Sequence, residues 1–249
     1  MPAIILKSIL PDAEALGRET AVIFAKLALA AIEARSRFLV CLSGGSTPLI
    51  AYQFLAQPAY KDLPWQKIVF FWGDERCVPA DDPQSNYNQA FQALLCHVPV
   101  IKKNIHRINA ELPCQLAQDN YAQILSRYSA TQKPWPRFDL VLLGLGEDGH
   151  IASLAPGSPG LQPDSPPILP AQLAYQDRPS QRLTLTLPVF NSAREVIFLV
   201  SGANKKAALA AAWDIAEGAS SDPQQNPAKL VHPSPGRVRW LVDQAAAGK

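Results

Sequence analysis

His150 closes the segment Gly144–His150 (GLGEDGH), in which three glycines shape a tight loop. An imidazole has an ordinary pKa of about 6.5, so near pH 7 it is largely neutral and can take a proton from water. Asp148 stands two residues earlier, placed to hold the ring or to stabilise its charged form. The competing reading is a loop histidine with no chemical role, which we assign to His97, His106 and His232. His150 differs from them because its loop is glycine-shaped and follows a buried-strand pattern.

Three further segments carry groups suited to an anionic substrate. In Ser43–Pro48 (SGGSTP), Gly44 and Gly45 let the backbone approach a ligand closely, while Ser43, Ser46 and Thr47 add hydroxyls. A helix starting there presents free N–H groups to a phosphate or an oxyanion. The segment lacks the Lys-Ser/Thr ending of a Walker loop, and a plain strand-to-helix turn remains the other reading. Gly73–Pro79 (GDERCVP) places Asp74, Glu75 and Arg76 just after an apolar run. Arg76 there could hold a phosphate or polarise a carbonyl with Asp74 or Glu75 orienting it; taken alone, the cluster reads as solvated charge. Arg182 and Lys205 are candidate phosphate ligands from two more segments, although either alone reads as a surface charge. The histidines and cysteines have no zinc-type spacing, so no metal site is expected. No GxGxxG or lysine–cofactor signature appears, and hydrolysis needs no cofactor.

Something must hold these segments together. Ala3–Leu6 reads as a short edge strand, followed by an amphipathic helix capped by Asp12, with Leu16, Ile23 and Leu27 on one face and Glu19, Lys26 and Glu33 on another. Buried strands are expected at 37–42, 67–72, 138–143 and 195–200, and a last strand at 238–242. Arg182–Pro188 alternates polar and apolar residues like a strand. Helices are expected at 47–56, 85–95 and 116–128, and after SGANKK to about Glu217. Continuous apolar strands alternating with helices imply an α/β fold: a mostly parallel sheet with helices on both faces. Ligands of such sheets lie beyond the carboxyl ends of the strands. SGGSTP, GDER, GLGEDGH and SGANKK each follow an expected strand, so four polar loops should converge on one rim. Leu154–Pro179 carries seven prolines and reads as a long semi-rigid loop without regular structure, and Ser220–Pro227 as a polar loop.

The chain's 249 residues suit one α/β domain, and we read it as a single domain. With 48% apolar residues it can build a sizeable core. The formal charge is +2 with no dense basic block, so nucleic acid is not an expected partner. No run approaches the ~18 apolar residues of a membrane span. The first residues, MPAIILKSILPD, lack the basic leader and cleavage site of a signal peptide. Cys41, Cys77, Cys96 and Cys114 form no CxxC pair, and Cys41 reads as a buried thiol. A reduced, cytoplasmic setting is expected.

Taken in order, these segments resemble the 6-phosphogluconolactonase family. The matching residues are Leu42–Pro48 (LSGGSTP), Trp72–Pro79 (WGDERCVP), Ser85–Ala90 (SNYNQA), Phe138–Leu154 (FDLVLLGLGEDGHIASL), Arg182–Asn191 (RLTLTLPVFN) and Ser201–Leu209 (SGANKKAAL). Pro227–Pro233 and the tail Arg237–Ala246 complete a match over nearly the whole chain. Each motif is weak alone; six in order are specific. The resemblance implies a modified Rossmann-like fold and hydrolysis of 6-phosphoglucono-1,5-lactone in the oxidative pentose phosphate route. It implies His150 as general base and Arg76 at the lactone end, with Arg182, Lys205 and the Ser43–Thr47 loop on the phosphate. Two positions depart from the family pattern: Ile151 stands where Thr is usual, and Ala155 where Phe is common, which implies a differently packed wall of the site.

A lactone carbonyl is already electrophilic, so attack by histidine-activated water needs no covalent intermediate, and Ser43 is expected to bind substrate and not to act as a nucleophile. Two other functions fit such a fold: a glucosamine-6-phosphate deaminase or sugar-phosphate isomerase, and a non-catalytic sugar-phosphate-binding regulator. Deaminases usually carry a DEY-type motif where this chain has Asp74–Arg76, and a regulator normally adds a DNA-binding segment, which nothing before Ser43 resembles. The expected partner is the phosphorylated lactone alone, with the protein a monomer.

Overall fold

The computed structural model describes residues 3–130, 132–174, 178–213 and 225–249. Its strands are β1 (Ile4–Leu10), β2 (Phe38–Leu42), β3 (Ile68–Trp72), β4 (Asp74–Arg76), β5 (Ile105–His106), β6 (Leu140–Leu143), β7 (Ile168–Gln172), β8 (Gln181–Leu185), β9 (Glu195–Val200) and β10 (Arg237–Asp243). The α-helices are α1 (Ala13–Arg35), α2 (Ser46–Leu55), α3 (Asn86–Ala90), α4 (Cys114–Arg127), α5 (Leu187–Phe190), α6 (Lys206–Ala212) and α7 (Gln244–Ala247).

Seven strands form one sheet in the order β1-β10-β9-β6-β2-β3-β5, and every neighbouring pair is parallel. All residues of β2, β3, β6 and β9 are buried, which accounts for their near-continuous apolar runs: a strand covered on both faces has no solvent side to alternate with. Helix α1 packs along β1, β2 and β10 and against α2. Asp12 caps it, accepting from the Ala15 N–H at 2.8 Å, and Leu16 and Ile23 are buried beneath it. Phe24 meets Phe38 edge to face, with centroids 5.2 Å apart. Fully burying one such ring contributes roughly 1.5–3 kcal/mol.

The sheet order sets the position of the site. From β2 the chain moves to β3 on one side, and from β6 to β9 on the other. The direction of winding therefore reverses between β2 and β6. The loops leaving these adjacent strands splay apart at their carboxyl ends and open a crevice.

Three expectations change. Asp74–Arg76 is neither a loop nor solvated: it is β4, wholly buried, pairing antiparallel with β8 in a second sheet ordered β4-β8-β7. Burial is tolerated because these charges find partners within the fold, described below. The proline-rich segment also contains regular structure, a 3₁₀ turn at Pro159–Leu161 and strand β7. Pro170 sits within β7 because β7 is an edge strand, where an absent N–H breaks no inner ladder. Finally, β1 is longer than Ala3–Leu6. Its pairing runs through Lys7 and Ser8 to Leu10, since an edge strand can present polar and apolar side chains alike to solvent. The expected helix 85–95 is α3 continued by a π-helical turn at Phe91–Leu95. Parts of three expected segments, 175–177 of the proline-rich stretch, 214–217 of the last long helix and 220–224 of the polar loop, lie outside the described residues.

Candidate active site

At the crevice, one cleft of about 210 Å³ is lined by Ser43–Pro48, Asp74, Arg76, Asn86, Gly144–Gly146, His150, Ala152, Arg178, Arg182, Leu199–Ser201, Asn204 and Lys205. The four loops thus meet on one rim.

The loop after β2 turns through Gly45, whose φ of 103° lies in the left-handed region that favours glycine, and enters α2. Tyr52 of α2 reaches back to fix the turn. Its hydroxyl accepts from the Ser43 N–H at 3.1 Å and donates to the Ser43 carbonyl at 2.8 Å. The first N–H groups of α2 then face the cleft beside the hydroxyls of Ser46 and Thr47. Gly44 is required for a different reason: a Cβ there would stand 1.8 Å from Asn86 Oδ1. Replacing Gly44 with Ala should cost about 1–3 kcal/mol through that overlap. Gly144→Ala, whose Cβ would meet nothing within 4 Å, is the control. A thermal melt in which both variants match the parent would contradict this packing.

Strand β4 delivers the charges. Asp74 Oδ2 accepts from Ser153 Oγ at 2.6 Å, and its Oδ1 accepts from Asn86 Nδ2 at 3.1 Å. Glu75 is spent on structure: it accepts from Ser85 Oγ and from the N–H groups of Arg76, Asn86 and Tyr87, which holds the start of α3. Burial pushes the Glu75 carboxyl up, against those four hydrogen bonds. Arg76 and Arg182 are direct cross-strand partners in the β4–β8 register, and both are buried. Like charges opposite each other on one sheet face are destabilising. Burial lowers the Arg76 guanidinium from its ordinary value; Arg182 and Arg178 push the same way, while Asp74 opposes them. Asp74 lies 3.8 Å from Arg182, so one carboxylate faces two guanidiniums. Arg76 Nη1 donates to the Gln84 carbonyl and Arg182 Nε to that of Pro179. The buried Arg76 Nε and Arg182 Nη2 have no hydrogen-bond partner among the described residues. The cleft is built to receive an anion.

Strand β6 delivers the histidine. Gly146 N–H donates to the His150 carbonyl at 2.8 Å and closes the loop. His150 Nδ1 lies 2.6 Å from Asp148 Oδ1, and its backbone N–H donates to the same oxygen at 3.1 Å. That imidazole hydrogen bond holds the Asp148 carboxyl down at about 2. An ionised carboxylate can only accept, so Nδ1 carries the proton and the lone pair of the neutral ring lies at Nε2. Asp148 is half-exposed and does not line the cleft; it acts through the ring it holds.

After β9, a turn at Ala203–Lys205 brings Lys205 to the cleft. Asp243, at the end of β10, anchors that loop by accepting from Ser201 Oγ at 2.5 Å and from Gly202 N–H at 3.1 Å. Asn204 Nδ2 donates to Glu147 Oε1 at 2.8 Å and ties this loop to the histidine loop.

The site residues read from the sequence line this cleft except Asp148 and Glu75. Sequence reasoning gave no role to Asn86, Ser153, Arg178, Asn204 or Asp243; all but Arg178 fall in the quoted segments, but nothing local marks their contacts. His97, His106 and His232 lie away from the cleft, with His106 Nε2 2.7 Å from the Tyr128 hydroxyl. Ile151 and Ala155, expected to alter a wall of the site, are not among its lining residues, and Ile151 is fully buried in the core. Cys41 is a buried thiol, pushed well up by burial and by Asp74. Among the described residues, no group of three or more His, Cys, Asp or Glu side chains could hold a metal ion, and no helix is long and apolar enough to cross a membrane.

A family model described as glucosamine-6-phosphate isomerases/6-phosphogluconolactonase matches residues 11–240. A 6-phosphogluconolactonase of Synechocystis sp. is 42% identical over 218 residues, covering 87% of this chain and 86% of that protein. The human 6-phosphogluconolactonase is 37% identical over 251 residues, covering 99% of this chain and 94% of its own. The solved structure of the 6-phosphogluconolactonase from Trypanosoma brucei superposes with a TM-score of 0.80 at 27% identity, covering 98% of this chain and 97% of that one. By sequence and by fold, this chain belongs to the glucosamine-6-phosphate isomerase/6-phosphogluconolactonase family.

Proposed function

We propose that this chain is a lactonase that hydrolyses 6-phosphoglucono-1,5-lactone to 6-phosphogluconate, in the oxidative pentose phosphate pathway. The observation that carries the reading is the meeting in one cleft of an Asp148-held imidazole with two buried arginines that share one carboxylate. The relatives named above are lactonases by name, which supports the substrate class.

Arg182, Lys205 and the Ser43–Thr47 loop hold the phosphate. Arg76 donates to the lactone end, and Asp74 offers an acceptor to the sugar while restraining Arg182. With the phosphate fixed, the carbonyl is presented to water. His150 Nε2 takes a proton as the water oxygen bonds to the carbonyl carbon. The resulting oxyanion is stabilised by Arg76 or by loop N–H groups. Its collapse breaks the bond to the ring oxygen, which takes the proton from the imidazolium and leaves as a hydroxyl. The new carboxylic acid then ionises. No covalent intermediate forms, and Ser43 is a binding group.

Several coarser readings accompany this one. The chain works as one domain and a monomer, in the cytoplasm, where its four free cysteines stay reduced. It needs no cofactor and no nucleic-acid partner.

The test is to assay two reactions on one preparation, since the family description also covers an isomerase. Release of acid from the phosphorylated lactone should exceed the spontaneous rate and persist after exhaustive chelation. Release of ammonia from glucosamine 6-phosphate should stay at background. Ammonia release without lactone opening would overturn the assignment.

A further inference from the structure

At the amino ends of the strands, away from the cleft, the surface carries an open hollow of about 570 Å³. One wall is apolar: Leu27, Ala30 and Ala34 of α1, with Ile4 of β1. Arg35, Arg194 and Arg237 also line the hollow. Arg35 ends α1, Arg194 directly precedes β9, and Arg237 opens β10, so three elements bring arginines to one space.

Two buried carboxylates fix these arginines. Asp139 Oδ1 accepts from Arg35 at 2.7 Å and lies 3.2 Å from Arg194 Nε, while its Oδ2 accepts from the Leu39 N–H. Glu195 accepts from Arg237 Nη1 at 3.1 Å and from Arg239 Nε at 2.9 Å. Three of these arginines and both carboxylates line the hollow, so positive charge is in excess there. Burial lowers the Arg194 guanidinium first, with repulsion from Arg35 and Arg137 next, ahead of the attraction of Asp139. The buried Nε of Arg237 has no hydrogen-bond partner among the described residues. A guanidinium offers five N–H donors, and a carboxylate pair cannot occupy all of those gathered here.

We propose that this hollow is a second binding site, for a small organic anion that places one phosphate, sulfonate or carboxylate on Arg35, Arg194 and Arg237 and an apolar ring or chain against α1. The charge surplus selects the sign of the ligand, and the alanine face selects an apolar body over a bare inorganic ion. Its chemistry differs from that of the catalytic cleft, where polar loops suit a hydroxylated sugar.

The probe is 1-anilinonaphthalene-8-sulfonate, titrated by fluorescence into the full chain. One saturable site is expected. N-phenyl-1-naphthylamine, with the same rings and no sulfonate, should bind about tenfold more weakly or worse. Ala34→Glu places a carboxylate at the lip of the hollow, at an exposed helical position that tolerates it. It should weaken the probe by a similar factor, as should Arg194→Gln. 6-Phosphogluconate, a ligand for the other cleft, should not displace the probe. The proposal is overturned by any of three results: no saturable binding, undiminished binding to a folded Ala34→Glu chain, or displacement by 6-phosphogluconate.

Discussion

Replacing His150 with Asn should lower kcat by about 10²–10⁴-fold, the usual contribution of a positioned general base. Asn keeps polarity and approximate size but cannot take the proton from water. The phosphate grip lies on other elements, β8 and the loops after β2 and β9, so Kd for 6-phosphogluconate should hardly change. Circular dichroism checks that the variant is folded. A folded Asn variant with near-normal kcat would make His150 structural. The Asp148 carboxyl is depressed to about 2, so the stability it lends is present above the ordinary carboxylate range and lost only as pH falls toward that value. Half-exposed, it lends little.

Removing the phosphate from the substrate should lower kcat/KM by about 10²-fold or more, the loss expected when several charge-assisted hydrogen bonds go together. The physical reason is that buried Arg182, its Nη2 without a hydrogen-bond partner among the described residues, lines one cleft with Lys205 and the Ser43–Thr47 loop. Such a set of donors gains most from a dianion. Lys205→Ala and Arg182→Ala should each raise KM for the phosphorylated lactone about 10–100-fold, and change turnover of the unphosphorylated lactone little. Lys205, on a turn and only partly buried, is the cleaner change; Arg182→Ala also leaves Asp74 with fewer partners. Steady-state kinetics on both lactones decides the matter. Equal efficiency on the two substrates would remove the phosphate site.

The parallel sheet was legible because buried strands such as Phe38–Leu42 and Glu195–Val200 must be apolar on both faces, and their runs stand out. The convergence of four loops followed from strand direction alone. Asp74–Arg76 was not legible as a strand, since three charged residues in a row read as solvated. Their burial depends on Ser85, Asn86, Ser153 and Arg182, which only the tertiary fold brings near. Asn86 shows the same limit. Its amide packs where Gly44 has no Cβ, a contact between segments with no shared local pattern. Pro170 hid β7, because a proline argues against a strand until the strand is known to be an edge. Of the site, the groups on the glycine-bearing loops, Asp148 beside its histidine and Arg182 were readable, while Asn86, Ser153 and Asp243, which hold these groups from other segments, were not.

Lactone opening by histidine-activated water is tested most directly by 6-phosphogluconate formation by the purified chain, with spontaneous opening subtracted and a His150→Asn preparation run beside it. The expected result is a rate above background, proportional to protein concentration, that the Asn preparation nearly abolishes. A wild-type rate equal to spontaneous opening, or an Asn variant as fast as the parent, would contradict it.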